Sequence, residues 1–133
     1  MTALVLHLPL PPPLSACFKN AQRQKRIKGV VKRWSGRVAT ERYIAWIMEA
    51  VSSARNQLGL SEPYDTITVP VAVDYKFGKP NNRRADVANL EKAVSDLLVR
   101  AGILVDDSQI IDLRLRWAAV EGVVVTIRPA RTT

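Results

Sequence analysis

Six residues between positions 86 and 107 carry the side chains best suited to act on a phosphate: Asp86, Asn89, Lys92, Asp96, Asp106 and Asp107. Hydrolysing a phosphodiester near neutral pH calls for a hard cation that holds phosphate oxygens and lowers the pKa of a bound water. Carboxylates are the ligands such a cation accepts. At about 100° per helical residue, Asn89, Lys92 and Asp96 share one face of a helix, so the Lys92 ammonium can stand where a phosphate would lie. There it would offset charge that grows in the transition state. Each residue also has an ordinary structural role, with Asp86 as a helix N-cap, Asp106 and Asp107 as turn formers and Lys92 as a solvated helix residue. Local physics leaves both sets of roles open.

A phosphate would have to be brought to these acids, and the charge distribution supplies a means. Lys19, Arg23, Lys25, Arg26, Lys28, Lys32, Arg33 and Arg37 place eight basic residues and no acid between Cys17 and Thr40. Elsewhere twelve basic residues balance twelve acids, so the net charge of +8 belongs to this one segment. Such a segment concentrates polyanions by long-range attraction. Phe18 and Trp34 could add stacking on bases, and Arg83 and Arg84 add charge just before Asp86.

The elements that must position these side chains follow from periodicity. Thr2 to Leu8 reads as a first strand, ended by Pro9 and the stiff run Pro11, Pro12 and Pro13. The basic stretch, residues 18–38, holds Gly29 and Gly36 without sustained periodicity and reads as a loop that orders on binding. From Thr40 to Leu58, the apolar residues Tyr43, Ile44, Ile47, Ala50, Val51, Ala54 and Leu58 make a helical stripe with Trp46 at its margin. Thr40 is its N-cap and Gly59 lies past its end. Thr66 to Phe77 alternates as a strand with an edge-type Pro70. A second helix runs from Val87 or Ala88 to Arg100, burying Leu90, Ala93, Val94, Leu97 and Leu98, and Gly102 is its left-handed stop. Ile111 to Ala119 and Val123 to Ile127 read as a C-terminal hairpin. The expectation is a single α+β domain over residues 1–133, with a small, largely antiparallel or mixed four-stranded sheet and two main helices on one face.

The pattern Asp86, Asn89, Leu90, Lys92, Asp96, Leu98, Ala101, Gly102, Asp106, Asp107, Gln109 and Ile110 resembles the RusA family of Holliday-junction resolvases. Weaker similarity reaches the proline-rich exit from the first strand with Ser15 and Asn20, the basic segment and the long helix. The resemblance implies a homodimeric endonuclease, dependent on Mg²⁺ with Mn²⁺ as a substitute, that nicks four-way DNA junctions in recombination and repair in a bacterium or its phage. By position it implies that Asp86 and Asp107 are metal-site carboxylates, with Asp106 in support, and that Lys92 is an essential basic residue. Asn89 and Asp96 would support the site, and Lys19 to Arg37, Arg83 and Arg84 would contact DNA. Where the family reads Asp-x-Asp-Asn, this chain has Ala88 for the second acid. A methyl group cannot ligate a cation, so the expectation is impaired cleavage with junction binding retained.

Two other classes fit part of the sequence. A non-catalytic DNA-binding or architectural protein would need only the basic segment, and an RNA-binding structural protein would suit the pI of about 10.2 but gives no reason for the acids. Cys17 is the single cysteine and allows no internal disulfide, and the N-terminal apolar run is short and broken by Pro9, so a cytoplasmic protein without leader or membrane anchor is expected. His7 has no partner at ligand spacing and is read as an ordinary strand residue.

Overall fold

The computed structural model describes residues 3–59, 66–79 and 86–130. Strand β1 (Leu4–Leu8) is followed by a 3-10 turn (Leu14–Ala16), β2 (Phe18–Ile27), β3 (Val30–Ala39) and helix α1 (Glu41–Gln57). Then come β4 (Val71–Gly78), a 3-10 turn (Val87–Leu90), helix α2 (Glu91–Arg100), a 3-10 turn (Asp107–Gln109), β5 (Ile110–Ala118) and β6 (Val123–Pro129). Four strands form one mixed sheet in the order β1-β6-β4-β5, as the α+β expectation allowed. No helix among the described residues is long and apolar enough to cross a membrane.

The core lies between this sheet and the two helices. Leu6, Leu8, Val73, Tyr75, Phe77, Val123, Val125 and Ile127 from the strands join Tyr43, Ile47, Ala50 and Ala54 of α1 and Val94, Leu97 and Leu98 of α2 in one buried cluster. The alternation of the strands puts these residues on one face, and each large apolar side chain so buried contributes roughly 1.5–3 kcal/mol. Ile44, placed by its spacing in the α1 stripe, is instead 48% exposed. Helix α1 otherwise begins and ends where its signals lie: Thr40 Oγ1 accepts from Tyr43 N at 3.2 Å, and Gly59 has φ +69°. Helix α2 is preceded by a tighter turn, and Gly102 stops it at φ +76°.

Three expectations are corrected. The basic stretch is not a loop: β2 and β3 pair antiparallel without a slip from Phe18↔Ala39 to Ile27↔Val30. Lys28 and Gly29 turn the chain with φ of 50° and 76°, the doubly positive geometry that matches the twist of a two-residue hairpin. Secondly, β5 and β6 do not form a hairpin. β5 pairs parallel with β4, and β6 lies antiparallel between β4 and β1. A parallel pair needs a crossover, and α2 supplies it. Thirdly, the strand expected from Thr66 starts only at Val71; Ile67 makes an isolated bridge to Leu104, and Pro70 lies outside a strand that is central in the sheet. Among the described residues, β4 is buried on nearly its whole length, because it has a neighbour on each side and helices over its inner face.

Candidate nuclease site and nucleic-acid arm

Helix α2 and the turn before β5 bring three of the singled-out residues together. Lys92 Nζ lies 3.1 Å from Asp96 Oδ1, one helical turn on, and 3.9 Å from Asp107 Oδ2 across the connection. The hydrogen bond to Asp96 first, then the charges of Asp96, Asp107 and Glu91, raise the Lys92 pKa above its ordinary value, so the side chain is a fixed cation. Asp96, Asp106 and Asp107 line, with Val99 and Arg100, a recess of about 270 Å³.

Two of the carboxylates cap turns. Asp86 caps the turn into α2, its Oδ1 accepting from Ala88 N at 3.0 Å. Asp106 caps the turn before β5, accepting from Ser108 N at 3.2 Å, and that bond chiefly holds its carboxyl below the usual range. Asp107 is exposed and pairs with Lys92 at 3.9 Å. Asn89 has an exposed side chain and donates its backbone N–H to Asp86 O at 3.1 Å. Ala88 is exposed on the turn before Lys92, four positions ahead of it. Among the described residues, no hydrogen bond or ion pair joins Asp86 to the other acids.

Two contributors, Gln109 and Tyr43, carried no site role in the sequence reading. Gln109 Oε1 accepts from Val105 N at 2.7 Å and Asp106 N at 3.0 Å, while its Nε2 donates to Ile67 O at 2.8 Å and Val69 O at 3.0 Å. Its amide thereby straps the Asp106–Asp107 turn to the chain entering β4. A Gln three residues past a capping acid is a readable capping-box signal, which could have found this half of its role. Tyr43 was placed in the core by its spacing, and its buried ring does sit there, but its hydroxyl donates to Asp96 Oδ2 at 3.0 Å. No spacing rule reports a bond between two helices 53 residues apart.

The basic segment is displayed on the β2–β3 arm. Two ten-residue strands extend about 33 Å, and Lys19, Lys25, Arg26, Lys28, Lys32, Arg33 and Arg37 are all exposed on them or at their turn. Arg23 lies in β2, in register with Trp34. Lys25 stands directly opposite Lys32, a like-charge pair that costs stability unless an anion lies between them. Arg37 sits over the Phe18 ring at 5.0 Å, at the base of the arm. Arg83 and Arg84 fall outside the described residues.

The molecule thus combines a basic two-stranded arm with a lysine held by acids. The model of the family Endodeoxyribonuclease RusA matches residues 16–128, and the chain belongs to that family. It is 25% identical over 115 residues, 86% of this chain and 82% of the relative, to the crossover junction endodeoxyribonuclease RusA of Escherichia coli (strain K12). To the protein of that name from Aquifex aeolicus (strain VF5) it is 29% identical over 87 residues, 63% of this chain and 66% of the relative. To that of Enterobacteria phage 82 it is 39% identical over 49 residues, 37% of this chain and 41% of the relative.

Proposed function

We propose that this chain binds four-way DNA junctions as a homodimer, in the cytoplasm of a bacterial host, and that its cleavage is impaired at Ala88. The observation that carries the reading is the Lys92 ammonium, held between Asp96 and Asp107 with a methyl group on the preceding turn. Such an ammonium is suited to face a phosphate and offset its developing charge. The residues of the arm supply affinity through the phosphate backbone, which carries shape but no sequence preference. A two-fold dimer would offer two equivalent sites to the two opposed strands of a junction.

The donor set does not fit a divalent cation. Among the described residues no group of three His, Cys, Asp or Glu side chains could hold one. Asp86 and Asp106 each give one oxygen to a cap, Asp96 gives both of its oxygens to Tyr43 and Lys92, and a methyl group stands where the family has its second acid. No cleavage step is therefore routed through a metal in this chain.

The test is Ala88→Asp. An acid at the start of a helix, four residues ahead of a lysine, is favoured by both the helix dipole and the side-chain pairing, so the variant should fold at least as well. In Mg²⁺, with Mn²⁺ as the second condition, Ala88→Asp should nick a synthetic four-way junction at least about a hundredfold faster than the parent, and the parent should bind it as tightly or more so. Equal nicking rates would refute the assignment to Ala88. Binding by both without nicking by either would leave the alternative, a non-catalytic junction-binding protein.

A further inference from the structure

We propose that Tyr43 is a positioning residue for Lys92, acting through Asp96; the inference rests on the assignment of Lys92 to the phosphate-facing site. The two oxygens of one carboxylate divide the work. Asp96 Oδ2 accepts from the Tyr43 hydroxyl at 3.0 Å, and Asp96 Oδ1 pairs with Lys92 Nζ at 3.1 Å. A carboxylate held on one side only is free to turn about its last bond, and with it the cation it carries. Held on both sides, it has a single orientation.

The helix itself gives Lys92 weak reason to stay. A lysine four residues ahead of an acid is the less favourable order for such a pair, and the Lys92 side chain is 47% exposed, where ion pairs contribute little. The fixed point lies on the other helix. Tyr43 is buried, with its ring edge-on to Phe18 at 5.3 Å and stacked with Trp46 at 6.5 Å, and Trp46 Nε1 in turn donates to Pro9 O at 3.0 Å. Thr40, one turn earlier, donates from Oγ1 to Ala16 O at 2.6 Å and so pins the start of α1 to the base of the arm. The Tyr43 hydroxyl is thus carried by rigid surroundings, and burial raises its pKa, so the proton that it donates to Asp96 remains in place. This geometry ties the foot of the DNA-binding arm, through Phe18 and Tyr43, to the lysine of the site.

Tyr43→Phe removes the hydroxyl and keeps the ring. The readout is ¹³Cε relaxation of Lys92 in the otherwise unaltered chain, with Asp96→Asn as a second variant that retains an acceptor for Tyr43 but loses the charge. Both variants should make Lys92 Cε visibly more mobile. In the Ala88→Asp background, Tyr43→Phe should slow single-turnover nicking at saturating junction on the order of tenfold with unchanged junction affinity, as expected when a reacting group is misplaced by a fraction of an ångström. If Tyr43→Phe lowers the melting temperature and leaves Lys92 as rigid as before, Tyr43 is a packing residue and the inference falls. If Lys92 loosens in both variants while Ala88→Asp fails to nick, the Tyr43 to Lys92 linkage stands and the nuclease reading falls.

Discussion

Ser95 is the one polar side chain buried in the core of the described residues, and its hydrogen bonds show how little freedom the site's helix has. Ser95 Oγ donates to Glu91 Oε1 at 2.6 Å, one turn earlier, so its lone pairs face Tyr75, whose hydroxyl lies 3.0 Å away. Tyr75 is fully buried, and desolvation pushes its pKa above the ordinary value. A hydroxyl in that position must donate or be stranded. Ser95→Ala should therefore destabilise the fold by about 1–3 kcal/mol, the cost of an unpaired buried polar group, read by urea unfolding. A variant as stable as the parent would show that Tyr75 finds another acceptor. At this scale Ala88 was legible in the sequence, since a missing acid is visible in a pattern, whereas the bonds of Tyr43 to Asp96, Ser95 to Tyr75 and Gln109 to Ile67 and Val69 were not, because those partners lie on other elements.

Between elements, the contrast lies in burial. Helix α2 places five side chains in the core, while the β2–β3 arm buries none of its described side chains and exposes most of them. A two-stranded ribbon with so little burial is marginal in water on its own, and Lys25 facing Lys32 makes it more so. Amide protons of β2 and β3 beyond the base should exchange within the fastest class of the molecule, and those of β4 and β6 within the slowest. Adding junction DNA should protect the arm selectively. Protection of the arm equal to that of β4 without DNA would contradict this account. The register explains why the arm escaped the sequence reading. Its turn is Lys28-Gly29, and a lysine at φ 50° lacks the Asn or Asp that usually announces such a hairpin. The basic residues on both faces also erase the alternation of a half-buried strand.

For the whole molecule, the net charge of +8 is a property of one protrusion. Binding that draws on it should weaken steeply with salt, because each neutralised phosphate releases a counterion. Replacing Lys25 and Lys32 together by glutamine should flatten the slope of log affinity against log salt by about two, and weaken linear duplex and junction alike. An unchanged slope would show that DNA is held on another surface. The same variant should leave the melting temperature equal or higher, since it removes a repulsion and no buried contact.

What the sequence determined by itself was chemical identity and local order: the spacing of acids and lysine, the absent carboxylate at 88, the concentration of charge before Thr40, and helices with their caps and glycine stops. These are decided by residue types within a turn or two of one another, where propensity and capping act. Tertiary structure alone decided that β5 lies parallel to β4, that β6 fills the gap between β4 and β1, and that Tyr43 reaches Asp96. Strand partners are chosen by which apolar faces close one core, and a bond across 53 residues exists only after that core has formed.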